Sequence, residues 1–196
     1  NGEWLWPKGS GTADAPIKID KYGGDALPVI NGMGIDRGMN YSGAVHLRNQ
    51  EYWEIRNLEV TNDDDFDVDI DLSRPQGDNS WSSQAETRNG ILIIADGDLL
   101  NDDDDGIFDH IYIENCYVHD VDGPNDWNDT FTGGIIYNVV GTKIRPNTSF
   151  RDIRIAYNTI RKVDLLGITG FVQMAKSGYQ DDVDTYNLWM EDIYIG

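Results

Sequence analysis

At 196 residues the chain suits one domain or two small ones, and 39% hydrophobic with 11% aromatic content supplies a core. Its 35 acidic residues against 15 basic ones leave a net charge of −20, which argues against nucleic acid as a partner, because phosphate binding needs Lys and Arg patches. Asp makes up 28 of the acids; it favours turns and caps, so the balance disfavours long helices and suits a turn-rich β protein with oxygen-ligand cation sites.

Cys116 is the single cysteine and reads as a buried free thiol, so no disulfide framework is possible. No transmembrane segment, signal peptide or membrane partner is expected. The sequence opens on Asn1-Gly2 and stops at Ile195-Gly196 inside a repeat. The expectation is a partial chain lacking C-terminal coils, which the remainder of the chain or another chain would supply.

Residues 1–42 read as an opening coil or cap. It holds two short strands, Pro16-Ile-Lys-Ile-Asp and Pro28-Val-Ile-Asn-Gly, separated by the turn cluster Tyr22-Gly-Gly-Asp. From residue 43 onward one pattern recurs: Trp53-x-Ile55-x-Asn57-Leu58-x-Val60, then Ile111-x-Ile113-x-Asn115-Cys116-x-Val118, then Ile153-x-Ile155-x-Tyr157-Asn158-x-Ile160. A fourth copy begins at Ile193-x-Ile195. A glycine-led apolar strand alternates with it, at Gly43, Gly90, Gly134 and Gly167. Such self-similarity marks a solenoid whose units bury their apolar face by stacking. Short alternating strands make it a β-solenoid, a single parallel β-helix domain over 1–196. The polar stretches 61–89, 97–108, 123–132, 141–150 and 174–190 read as loops projecting from it.

Aligning the copies stacks Thr61, His119 and Arg161, then Asn62, Asp120 and Lys162, then Asp64, Asp122 and Asp164. Adjacent rungs lie roughly 4.8 Å apart, so Asp120, Asp122 and Asp164 form a carboxylate patch beside an imidazole and two cations. Carboxylates one or two rungs apart span the range that glycoside hydrolysis uses for its acid and its base or nucleophile. Asn57 and Asn115 fall in register and are expected to form a structural amide ladder. The bland alternative for the patch is a set of solvated turn salt bridges.

Two acidic runs are candidate Ca²⁺ sites. In Asp63-Asp-Asp-Phe-Asp-Val-Asp-Ile-Asp71 the alternation puts Asp65, Asp67, Asp69 and Asp71 on one strand face. Asn101, Asp103, Asp105 and Gly106 match the first half of a calcium loop, but Tyr112 stands where its last ligand would be. Asp63, Asp65, Asp67, Asp103 and Asp105 are the metal-ligand candidates, and no organic cofactor is expected. Trp81 and Trp127, set in polar insertions, are candidate platforms for sugar rings.

The segments Lys8-Gly-Ser-Gly-Thr-Ala-Asp-Ala-Pro-Ile, Pro28-Val-Ile-Asn-Gly, Glu51 to Asn62 and Tyr117-Val-His-Asp-Val-Asp-Gly carry a family resemblance. The chain resembles the right-handed parallel β-helix, pectate-lyase-like superfamily. Within it the chain looks closest to the N-terminal half of glycoside hydrolase family 141-like bacterial enzymes, whose members act on xylan or fucosylated pectin. That resemblance implies a secreted or cell-surface enzyme cutting a plant or algal polysaccharide. Hydrolysis by Asp120, Asp122 and Asp164 is favoured, with His119, Arg161 and Lys162 positioning substrate or tuning the carboxylate pKa values. A Ca²⁺-assisted polysaccharide lyase and a non-catalytic adhesin solenoid are the alternatives. The net charge favours a neutral or lightly charged glycan, because an anionic one would be repelled.

Overall fold

The computed structural model describes residues 4–33, 42–63, 88–101, 103–123, 132–141, 148–174 and 189–196. The chain is all-β in these residues, with one short 3-10 turn at Gly97–Leu99. It advances in circuits of three strands. The first is β1 (Ile17–Ile19), β2 (Val29–Asn31) and β3 (Gly43–Arg48); the second is β4 (Trp53–Arg56), β5 (Glu59–Asn62) and β6 (Asn89–Asp96). The third is β7 (Ile107–Glu114), β8 (Tyr117–Val121) and β9 (Gly133–Gly141). A fourth follows as β10 (Ser149–Ala156), β11 (Thr159–Val163) and β12 (Leu166–Met174), and β13 (Trp189–Ile195) begins another.

Each circuit adds one strand to each of three parallel sheets. Their orders are β1-β4-β7-β10-β13, β11-β8-β5-β2 and β12-β9-β6-β3. The repeat found by alignment is the register of the first sheet: Trp53, Ile111, Ile153 and Ile193 are partners, as are Ile55, Ile113, Ile155 and Ile195. Trp53, Ile55, Ile111, Ile113, Ile153 and Ile155 point inward and meet Val45, Leu47, Ile91, Ile93 and Ile135 from the third sheet, Val60 and Val118 from the second and Leu58 from the corner between the first two. Ile193 packs partly buried against them, and Ile195 is exposed. Fully burying one such aliphatic side chain contributes about 1.5–3 kcal/mol. β6 and β9 of the third sheet are buried on both faces, with Leu92, Ile94, Ile136 and Val140 forming a second cluster, which explains their largely apolar sequences.

Two expectations about the repeat are corrected. Gly43 pairs with Asn89, so Ala44 rather than Gly43 takes the height of Gly90, Gly134 and Gly167. Asn57 and Asn115 fall in register as expected, but the Asn57 amide donates to Asp20 Oδ1 at 2.7 Å rather than along a ladder. Asn57 and Asn115 occupy the corner between the first two sheets in the left-handed conformation, at φ 53° and 55°, which Asn tolerates better than most residues. Tyr157 fills the same corner at φ 58°. Interior amide bonds instead run from Asn62 Nδ2 to the Asn89 carbonyl (3.0 Å), and from Asn89 Nδ2 to the Ser42 carbonyl (2.9 Å).

Near the start of their strands, Gly90 and Gly134 lie against second-sheet side chains, Val118 and Ile160 respectively. A Cβ at Gly134 would come within 2.8 Å of both the Gly167 carbonyl oxygen and Ile160 Cγ2, whereas Gly167 has open space around it. Gly134→Ala is therefore expected to cost about 1–3 kcal/mol through overpacking, and Gly167→Ala to be tolerated. Thermal melts of the two variants check this; equal melting temperatures would refute the packing argument.

Candidate active site

The outer side of the second sheet carries the candidate site. Along β8 the inward residues are Val118 and Val121, with His119 and Asp120 between them both facing out. An ordinary strand alternates faces, so two successive outward side chains need a backbone irregularity. Asp120 supplies it, at φ 47°, and Lys162 repeats it one rung on at φ 49°. β8 and β11 stay in register through this kink, His119 opposite Arg161 and Val121 opposite Val163. Against β5 the register slips, so that Asn62 faces Val121. The sequence alignment of Asn62 with Asp120 is thus overturned: the β-bulge at Asp120 adds a residue that β5 lacks, and Asn62 turns fully inward.

The kink brings charges together. His119 Nδ1 lies 2.5 Å from Asp120 Oδ2, and its Nε2 lies 3.1 Å from Glu59 Oε1. Lys162 Nζ is 3.3 Å from Asp120 Oδ1. The hydrogen bond from His119, with the Lys162 ammonium, outweighs burial and holds the Asp120 carboxyl below the usual carboxylate range. Asp120 opens onto a cleft of about 200 Å³ that it lines with Asn31, Met33, Thr61 and Asp63. Two carboxyl groups, a hydroxyl and an amide in one polar cleft form an arrangement suited to a hydroxyl-rich ligand.

The other sequence candidates fall in different places. Asp122 and Asp164 follow β8 and β11 at the next corner, where Asp164 Oδ2 accepts the Gly123 N–H at 3.3 Å. Neither lines the cleft. Arg161 is exposed beside His119. Of the two roles expected for His119, positioning substrate or tuning the carboxylates, its place fits the second: both its ring nitrogens face carboxylates and its side chain is 14% exposed. Trp81, Trp127, Asp65 and Asp67 lie outside the described residues, as does Asp64.

Asp63, expected among metal ligands, lines the cleft. The run around Asp103 and Asp105 closes on itself: Asp104 accepts the Asn101 N–H at 2.7 Å and Asp105 accepts the Ile107 N–H at 3.2 Å. Among the described residues no three His, Cys, Asp or Glu side chains converge as a metal site. Glu59 escaped the sequence reading. Its signal was its outward position in β5, two residues before Thr61.

A separate charged network covers the outside of the first sheet. His110 bridges Glu54 and Asp152, at 3.3 Å to each, and its ring packs between those of Tyr52 and Tyr112. Lys18 and Arg56 also pair with Glu54. Burial would raise the Glu54 carboxyl, but the bonds from Lys18 and His110 and the Arg56 charge override it and hold it low. Cys116 is buried, and burial pushes its thiol up to about 11, which makes it inert.

No protein-family model matches the chain. The lacto-N-biosidase of Bifidobacterium longum subsp. longum is 27% identical over an alignment covering 92% of this chain and 14% of that protein. Two crystal structures of the glycoside hydrolase family 136 lacto-N-biosidase from Eubacterium ramulus superpose with TM-scores of 0.66 and 0.65, at 22% and 21% identity. Each match covers 97% of this chain and 32% of the solved one. The sequence resemblance pointed to family 141-like enzymes; these relatives are lacto-N-biosidases, and what the two have in common is glycoside hydrolysis. The chain shares the fold of these enzymes and spans a minor part of their length.

Proposed function

We propose that this chain is part of a glycoside hydrolase acting on a glycan that contains a lacto-N-biose unit, and that the cleft beside β8 belongs to its catalytic centre. The observation that carries the reading is Asp120, tied by His119 and Lys162, opening into the same polar cleft as Asp63. Hydrolysis needs one carboxyl group to protonate the glycosidic oxygen as its bond to the anomeric carbon breaks. A second, ionised carboxylate bonds the anomeric carbon or takes the proton of an attacking water. Asp120 suits the ionised part, and Asp63 is the carboxyl in the cleft left to act as acid. The names of the relatives favour lacto-N-biose over the plant or algal polysaccharide, and the net charge of −20 favours a neutral sugar. The coil is read as right-handed, the sense adopted by about 98% of parallel crossover connections, and the enzyme as secreted or surface-bound.

The test is sugar release by the full-length protein from a panel holding lacto-N-biose glycans, xylan and pectin. Release of a saturated disaccharide from the first is expected. A product absorbing in the ultraviolet would mean elimination, and no release from any glycan would end the enzymatic reading.

A further inference from the structure

We propose that His119, clamped in its doubly protonated form between Glu59 and Asp120, is a positioning residue that fixes Asp120 as the ionised member of the cleft's carboxylate pair. This rests on the reading of the cleft as a hydrolase site. A neutral imidazole has one donor nitrogen and one acceptor nitrogen. With Nδ1 at Asp120 Oδ2 and Nε2 at Glu59 Oε1, the neutral ring would set a lone pair against one carboxylate. Only the imidazolium donates to both.

The ring has little freedom to turn away. It stacks on Tyr117 with centroids 4.1 Å apart and planes 23° from parallel. The charged groups around it come from three strands: Glu59 from β5, Asp120 from β8, and Lys162 and Arg161 from β11. Two carboxylates are then balanced by the imidazolium and the Lys162 ammonium, with Arg161 turned to solvent. The left-handed backbone at Asp120 is what makes the clamp possible, because it sets neighbouring residues 119 and 120 on one face.

The clamp does its work only while the ring keeps both protons. Once the ring loses one at higher pH, the hold on one oxygen of Asp120 or on Glu59 is lost and the carboxylate is free to rotate. The consequence is a kcat that falls on the alkaline side, with substrate binding little altered. A displacement of a reacting group by about 1 Å can cost up to about 10²-fold in rate.

The experiment measures kcat and KM against pH for the full-length protein and its His119→Gln and Glu59→Gln variants. It is joined by nitrogen NMR of isotope-labelled histidine, with His119 identified by the signals that His119→Gln removes. Expected are protons on both ring nitrogens at neutral pH, a kcat lowered by up to about 10²-fold in His119→Gln at nearly constant KM, and loss of its alkaline limb. Glu59→Gln should lower kcat less and bring the alkaline limb to lower pH. His110→Gln, in the similar bridge on the first sheet, should leave both kcat and its pH profile as they are. A bare ring nitrogen at neutral pH, or a wild-type kcat and alkaline limb in His119→Gln, would overturn the proposal. If His119→Gln does not fold, Glu59→Gln decides the kinetic arm, since Glu59 lies nearer the surface. An inactive Asp120→Asn beside a fully active His119→Gln removes this proposal alone, whereas an active Asp120→Asn removes the hydrolase site beneath it.

Discussion

Replacing Asp120 with Asn in the full-length protein is expected to lower kcat by about 10³-fold or more while leaving the fold intact. The substitution keeps the size of the side chain and removes the charge that a glycosidase needs at the anomeric centre. A positioned acid or base contributes about 10²–10⁴-fold, and a nucleophile lost outright contributes no less. Stability should survive for two reasons. The Asp120 side chain is 34% exposed, so its ion pair with Lys162 is largely screened. Asn also accepts the left-handed backbone found there. Sugar release together with a thermal melt checks the prediction. Activity within about threefold of wild type would be too small a loss for a catalytic carboxylate and would remove Asp120 from the mechanism. Asp122→Asn, at the corner beyond the cleft, should lose far less.

The second large effect concerns acid stability and lies at His46, on β3. Its side chain is buried, meets Trp6 edge-on at 4.8 Å, and has no hydrogen-bond partner for either nitrogen among the described residues. Burial, with the charges of Arg48 and Lys8, brings its pKa down to about 3 from 6.5. The sign follows from proton binding. Above 6.5 the ring is neutral in the folded and unfolded chain alike, and no penalty arises. Below 6.5 the unfolded chain takes up a proton that the folded chain refuses until about pH 3. Stability therefore falls as pH drops through that window, by about 1.4 kcal/mol per unit, or about 3 kcal/mol on reaching pH 4. His46→Leu should flatten this part of the profile, because a leucine has nothing to protonate. Urea unfolding from pH 7.5 to pH 4 compares the two proteins; parallel profiles would show that the acid sensitivity arises elsewhere. Asp120 adds a loss of the same sign at lower pH, as its depressed carboxyl takes up a proton.

The parts of the fold legible in the sequence were those written in side-chain size. Trp53, Ile111, Ile153 and Ile193 announce their register because an interior column accepts only large apolar groups at that height. The kinks were not legible, since the left-handed backbone at Asp120, Lys162, His110 and Asp152 has no requirement for glycine or proline to betray it. That is why Asn62 was placed beside Asp120 when it belongs beside Val121. The same blindness spread to the site. His119, Asp120 and Lys162 were grouped correctly because β8 and β11 bulge together, so an error in one strand cancels in the other. Asp63 belongs in the sequence to an acidic run, and nothing there singles out Glu59. Only the folded cleft reveals that the first shares a wall with Asp120 and that the second backs its histidine.

The left-handed residues recur at one height in successive coils, as His110, Asp152 and Asp192 on one side and Asp120 and Lys162 on another. Each such place lends the exterior a doubled row of side chains, while the aliphatic column inside keeps its spacing. New chemistry can therefore be written on the outside of this protein a coil at a time, and its rigid centre never has to be redrafted to accommodate it.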